Sequence, residues 1–122
     1  MLAYRRGMGP YRFPAPTPLP ADEEALRECA VLQGEVAAIG QRLKVAPGDA
    51  LDEAWRLQRR QGWTPRLSAC HALANANAAV YRARLVASGG VSRDSMGSRL
   101  KEARGLVEEA RVAMMKAESE RR

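Results

Sequence analysis

The stretch "ACHALANANAAVYRARL" (residues 69–85) decides the fold of this chain, because it admits two incompatible readings. Broken in the middle, it is two short helices with "AVYRAR" on the second, a DNA-reading arrangement. Unbroken, it is one alanine-rich helix whose small side chains let a neighbouring helix approach closely. The spacing favours the second. Ala69, Leu73, Ala76, Val80, Ala83 and Ala87 recur at intervals of 4, 3, 4, 3 and 4, the period of a packed helical seam.

The residues themselves raise the first reading. "ACHAL" followed by "AVYRAR" resembles the helix–turn–helix of insertion-sequence transposases, with Ala69, Cys70, Leu73, Tyr81 and Arg82 at the matching places. The resemblance covers under a fifth of the chain and implies a DNA-binding factor. Such a turn normally carries glycine, which reaches positive φ without steric cost. Here the position is Ala74, followed by "NANAA", and alanine resists the left-handed region.

Working outward, Thr64 is placed to cap this helix and Pro65 to occupy its first turn, where a missing N–H costs nothing. "SGGVS" (residues 88–92) marks a break. The helix after it has the most regular seam in the chain: Met96, Leu100, Ala103, Val107, Ala110, Met114 and Ala117. Two such helices joined by a glycine turn predict an antiparallel hairpin with an alanine-lined interface. Glu102, Arg104, Glu108 and Arg111 are expected to clothe its outside.

Upstream, Asp22 is a helix N-cap, with Glu23 and Glu24 at the positive end of the dipole. Leu26, Cys29, Leu32, Val36, Ile39 and Leu43 form the seam of this helix, and "APGD" (residues 46–49) stops it. Asp49 is expected to cap a short helix with Leu51, Ala54, Trp55 and Gln58 on one face and Arg56, Arg59 and Arg60 around the other; Gly62 ends it. The fold class is therefore all-α, a small helical bundle on an antiparallel hairpin. The helices are expected at about 22–45, 49–62, 64–88 and 92–120. The seam residues chosen as packing anchors are Leu32, Val36, Ile39, Leu73, Val80, Leu100, Val107 and Met114.

Residues 1–21 form a basic, proline-rich arm ahead of the helical domain of 22–122. Pro10, Pro14, Pro16, Pro18 and Pro20 remove backbone donors and favour polyproline II. Tyr4, Tyr11 and Phe13 lie among them, which predicts an arm laid along some surface. The opening "MLAYRRGMG" has neither the apolar core of a signal peptide nor a convincing amphipathic helix, so a presequence is expected to be absent or already removed.

Composition bounds the function. The chain has 122 residues, 46% hydrophobic, but aromatics are only 5%. No run of about 20 apolar residues is present to span a bilayer. Cys29 and Cys70 are in no CxxC pattern and read as small buried hydrophobes in a reducing compartment, with a disulfide between two helices as the alternative. His71 is the single histidine, without ligand spacing around it, and no metal or cofactor is expected. Ser68 and Ser92 have only His71 as an imidazole base and no orienting carboxylate from Ala54 to Arg93, so the chain is not expected to be an enzyme.

Charge is unevenly placed. Residues 1–21 carry +3, residues 22–53 carry −5, residues 54–93 carry +7 with no acid, and the rest +1, for a net +6. Arg outnumbers Lys 17 to 3, and arginine suits bidentate contact with carboxylate or phosphate. The candidate partner-binding residues are Tyr4, Tyr11, Phe13, Arg56, Arg59, Arg60 and Arg66. The function expected is a non-catalytic structural or assembly subunit of a larger complex, or a self-associating one, working through the arm, helix seams and basic face. The alternative is a nucleic-acid-binding protein, either a small basic ribosomal-type protein or a helix–turn–helix factor, gripping the RNA or DNA phosphate backbone. The expected setting is intracellular and reducing, with an organelle matrix or a virion also fitting.

Overall fold

A computed structural model describes residues 20–89 and 95–120. Four helices follow in order: α1 (Glu23–Leu43), α2 (Ala50–Gln61), α3 (Pro65–Ala87) and α4 (Met96–Glu120), with a 3₁₀ turn at Pro47–Asp49 before α2. The chain is all-α and resembles a four-helix bundle, with α3 and α4 packed antiparallel as their largest interface. Residues 1–19, 90–94 and 121–122 lie outside the described residues, and with them most of the expected 1–21 arm, including Tyr4, Tyr11 and Phe13.

The opening question is answered by α3, which runs unbroken through Ala74 for 23 residues. No helix–turn–helix break exists there: Ala74, Ala76 and Ala78 favour the helical backbone, and Asn75 and Asn77 between them cost only roughly several tenths of a kcal/mol each. Thr64 caps α3 by accepting from the Leu67 N–H at 3.1 Å. Asp22 caps α1 in the same way, accepting from the Ala25 N–H at 3.0 Å. Asp49 does not cap α2: its backbone is already helical and its side chain makes no cap bond, since the 3₁₀ turn hands the chain straight into the helix.

All eight chosen packing anchors are buried, together with the alanines between them. On α3 the seam of Ala69, Leu73, Ala76, Val80, Ala83 and Ala87 faces the core; on α4 it is Leu100, Ala103, Val107, Ala110, Met114 and Ala117. Burying a leucine or valine there contributes roughly 1.5–3 kcal/mol. The alanines allow backbones to approach. Neither an aromatic nor a polar side chain is buried among the described residues.

α1 runs antiparallel to α3, its start tied to the end of α3 by the Asp22 N–H donating to the Ala87 carbonyl at 2.8 Å. It is therefore parallel to α4, and three ion pairs bridge the two helices: Arg104 with Glu28, Arg111 with Glu35 at 2.8 Å, and Arg42 with Glu118. Each pair joins residues 76 apart, and successive rungs lie one heptad on. The charges of α4 expected simply to clothe the outside thus form a ladder to α1. Arg82 and Glu102 make a further bridge, at 3.5 Å, between α3 and α4.

The corner between α1 and α2 is tight. Lys44 takes the left-handed conformation (φ 62°) and the Val45 N–H donates to the Gly40 carbonyl at 2.9 Å, closing the helix end. A Cβ on Gly40 would stand 2.7 Å from the Val45 carbonyl oxygen, so this position has no room for a side chain. Cys29 and Cys70 are both buried free thiols in separate packing clusters, and no disulfide joins them. Burial pushes both thiols up from their ordinary range.

Candidate functional site

The short helix α2 differs from its expected orientation. Its buried residues are Ala50, Ala54 and Leu57, not a face of Leu51, Ala54, Trp55 and Gln58. Leu57 and Ala54 pack with Leu67 and Cys70 of α3, while Leu51 and Trp55 lie exposed. A small alanine–leucine face fits closely against α3, and the indole is displaced to the edge, where it meets His71 edge-on at 6.4 Å.

That packing gives α3 a second, outer stripe. Leu67, His71, Ala74, Ala78, Tyr81 and Leu85 recur at intervals of 4, 3, 4, 3 and 4, so they share one side of the helix. α2 has 12 residues against 23 for α3. It covers the first half of the stripe, at Leu67 and His71. The second half is open: Tyr81 is 61% and Leu85 54% exposed.

Beside the covered half runs a cleft of about 640 Å³, lined by Trp63 and Gly62 from the α2–α3 turn, Ser68, His71 and Asn75 from α3, and Leu106 and Glu109 from α4. It continues along α4 past Val112 and Lys116 in a second hollow that shares Trp63, Ser68 and Glu109. Gly62 makes the turn with φ 73°, a conformation a side chain resists. That turn swings Trp63 out, and its ring is 67% exposed. The cleft also brings Glu109 toward Ser68 and His71, a carboxylate that the sequence did not place there. No hydrogen bond links the three.

The basic residues divide into two kinds. Arg56 makes a bidentate pair with Glu53 one turn before it, and its guanidinium holds the Glu53 carboxyl below the usual range. Arg66 donates to the Leu43 carbonyl at 2.7 Å and reaches Glu53 at 3.7 Å, so it ties the α1 terminus to α2 and α3. These two are occupied by structural work. Arg59 and Arg60 are exposed on the outer side of α2 and make no ion pair among the described residues. On the ladder, the Arg104 guanidinium likewise holds the Glu28 carboxyl below its ordinary value.

The described residues contain no group of three or more His, Cys, Asp or Glu side chains placed to hold a metal ion. No helix among them is long and apolar enough to cross a membrane. No family model matches the chain, nor does any curated protein or any solved structure.

Proposed function

We propose that this chain is a non-catalytic structural or assembly subunit of a larger complex, binding protein partners through exposed aromatic side chains, the outer basic face of α2 and the N-terminal arm. One observation carries the reading. Every aromatic ring among the described tryptophans and tyrosine, Trp55, Trp63 and Tyr81, lies at least half exposed, while the core holds only aliphatic side chains and thiols. Large apolar rings left outside a close-packed core are what partner surfaces are built from. A reducing compartment, an organelle matrix or a virion suits a chain with two buried free thiols.

The test is co-purification from the native source with a tagged wild-type chain and a Trp55→Ser/Trp63→Ser variant. The variant should lose co-purifying components while its helical circular dichroism stays unchanged. Full retention by the variant would sink the reading. A second reading, phosphate-backbone binding to RNA or DNA, is favoured by the free guanidinium groups of Arg59 and Arg60. Fluorescence anisotropy against a labelled duplex and an RNA hairpin decides it. Binding should weaken steeply with salt and with Arg59→Glu or Arg60→Glu if phosphates carry it.

A further inference from the structure

The cleft between the end of α2, the first half of α3 and α4 holds polar groups that the packing does not use. Ser68, His71, Ala72 and Asn75 share one side of α3 at helical spacing, and Leu106 and Glu109 lie one turn apart on α4. Gln58, Ser68, His71, Asn75 and Glu109 all line the hollow. None of their side chains makes a hydrogen bond or an ion pair with another described residue. We propose that this cleft binds a planar organic cation, an amidinium or guanidinium on a small apolar ring, with Glu109 as its counter-charge and the Trp63 indole as the face it stacks on. The inference goes beyond the partner reading, because it gives Trp63 a ligand of its own whatever complex the chain joins.

Charge selects the sign of the ligand. Glu109 is the only charged side chain among the described residues that line the cleft. Its neighbour Glu108 is already engaged by Arg111. Lys116, in the adjoining hollow, stands seven residues further along α4, about 10 Å at the helical rise. The net charge of +6 repels cations at long range, but salt screens such fields beyond about 8 Å at physiological ionic strength. The carboxylate inside the cleft therefore outweighs the sum over the surface. A metal ion does not suit the site, since a hard cation wants several oxygen ligands and no group of three acidic or soft ligands is placed for one among the described residues.

Shape selects the class. A volume of about 640 Å³ lies within the roughly 300–1,000 Å³ of small-molecule sites. Leu67 is buried and Ala72 and Leu106 are half-buried, which gives the cleft an apolar floor, and the short side chain of Ala72 leaves it depth. Trp63 is exposed, so its indole is available to a ligand. Planar delocalised cations are less strongly hydrated than an ammonium and stack on indole faces, which fits them to a wall of this kind. The amide oxygens of Gln58 and Asn75 supply acceptors for N–H groups that Glu109 leaves unpaired. The second hollow shares Trp63, Ser68 and Glu109 and is walled by Pro65, Val112 and Ala113, a seat for the apolar part of the ligand.

The probe is benzamidine, a planar amidinium on an apolar ring, titrated into the nitrogen-15-labelled full chain. Binding is followed at the indole N–H signals, which a Trp55→Phe variant assigns, and at the backbone N–H signals of Ser68 and His71. The Trp63 signal should shift saturably, with a Kd on the order of 1 mM. Benzamide, which has the same shape without the charge, should bind at least roughly tenfold more weakly. Glu109→Gln, at an exposed position, should lower benzamidine affinity about tenfold and remove its preference over benzamide, with far-ultraviolet dichroism unchanged. Trp63→Leu should weaken binding by a factor of about five, read at Ser68 and His71. Benzamide binding as tightly as benzamidine, an unchanged benzamidine affinity in either variant, or no saturable shift in the millimolar range overturns the proposal. The titration needs only the purified chain, so its failure leaves the partner reading and its co-purification test standing.

Discussion

The two long stripes of α3 have the same spacing and opposite fates. The inner one, from Ala69 to Ala87, is sealed by α1 and α4 along its whole length. The outer one, from Leu67 to Leu85, is sealed only where α2 reaches. The difference is not one of hydrophobicity, since Tyr81 and Leu85 are larger than any alanine within. It follows from reach: α2 has 12 residues against 23 for α3, and it packs against the first part of α3, at Leu67, Cys70 and His71. A helical period tells which residues share a side and says nothing of whether a neighbour is long enough to cover them.

Truncating one leucine from each stripe should separate them most widely. Leu73→Ala should cost about 2–5 kcal/mol in chemical denaturation, whereas Leu85→Ala on the open half should stay within about 0.5 kcal/mol in the purified protein. Equal costs would mean that the outer stripe is as buried as the inner one. Next in size is the corner that aims α2. Gly40→Ala should lower stability by about 1–3 kcal/mol, because its Cβ meets backbone at Val45 and Pro47 lies just beyond. Gly34→Ala, in open space on the same helix, should instead gain about 0.5–1 kcal/mol.

Where α2 hands over to α3, Thr64→Ala should cost about 1 kcal/mol through the lost cap, read as a lower midpoint in urea. The inner side can also be probed through its ladder. Glu35→Arg should lower stability by about 0.2–1 kcal/mol, the range of exposed pairs, and adding Arg111→Glu should restore only part of it, because Arg111 also pairs with Glu108. Acid gives the smallest effect. Glu28 and Glu53 have folded-state values below the unfolded value of 4.5. Each favours the fold above that value and loses its contribution as pH falls through the lowered folded value. The thermal midpoint should therefore hold down to about pH 5 and decline below 4.5, and a midpoint flat through that range would remove both carboxylates from the account.

The seams of α1, α3 and α4 were legible in the sequence because each keeps its period without interruption, and α1 and α3 are opened by the caps Asp22 and Thr64. The face of α2 was not. Trp55 is its largest apolar side chain, and size suggested the buried side, but the helix turns Ala50, Ala54 and Leu57 inward and leaves the indole at the edge. The outer stripe of α3 was hidden by His71, which interrupts it with a polar residue, and by the inner seam, which already explained the helix. The ladder could have been found: Glu28 and Glu35 repeat at seven, as do Arg104 and Arg111, each flanking a seam. What no spacing reveals is which arginine is already engaged. Arg56 and Arg66 have the same side-chain chemistry as Arg59 and Arg60, and only their placement near Glu53 and the end of α1 separates them.

The ladder between α1 and α4 has one more property, in the order of its signs. Its first two rungs run from an acid on α1 to a base on α4, and the third runs the other way, from Arg42 to Glu118. Slide α1 forward along its own axis by a heptad and Glu35 confronts Glu118; slide it back and Arg42 confronts Arg111. A ladder of uniform sign would accept either slip with two rungs intact, and apolar seams repeating at seven would raise little objection. The single inverted rung works as a parity check: it contributes no more energy than its neighbours, yet it leaves one alignment of the two helices in which every sign agrees.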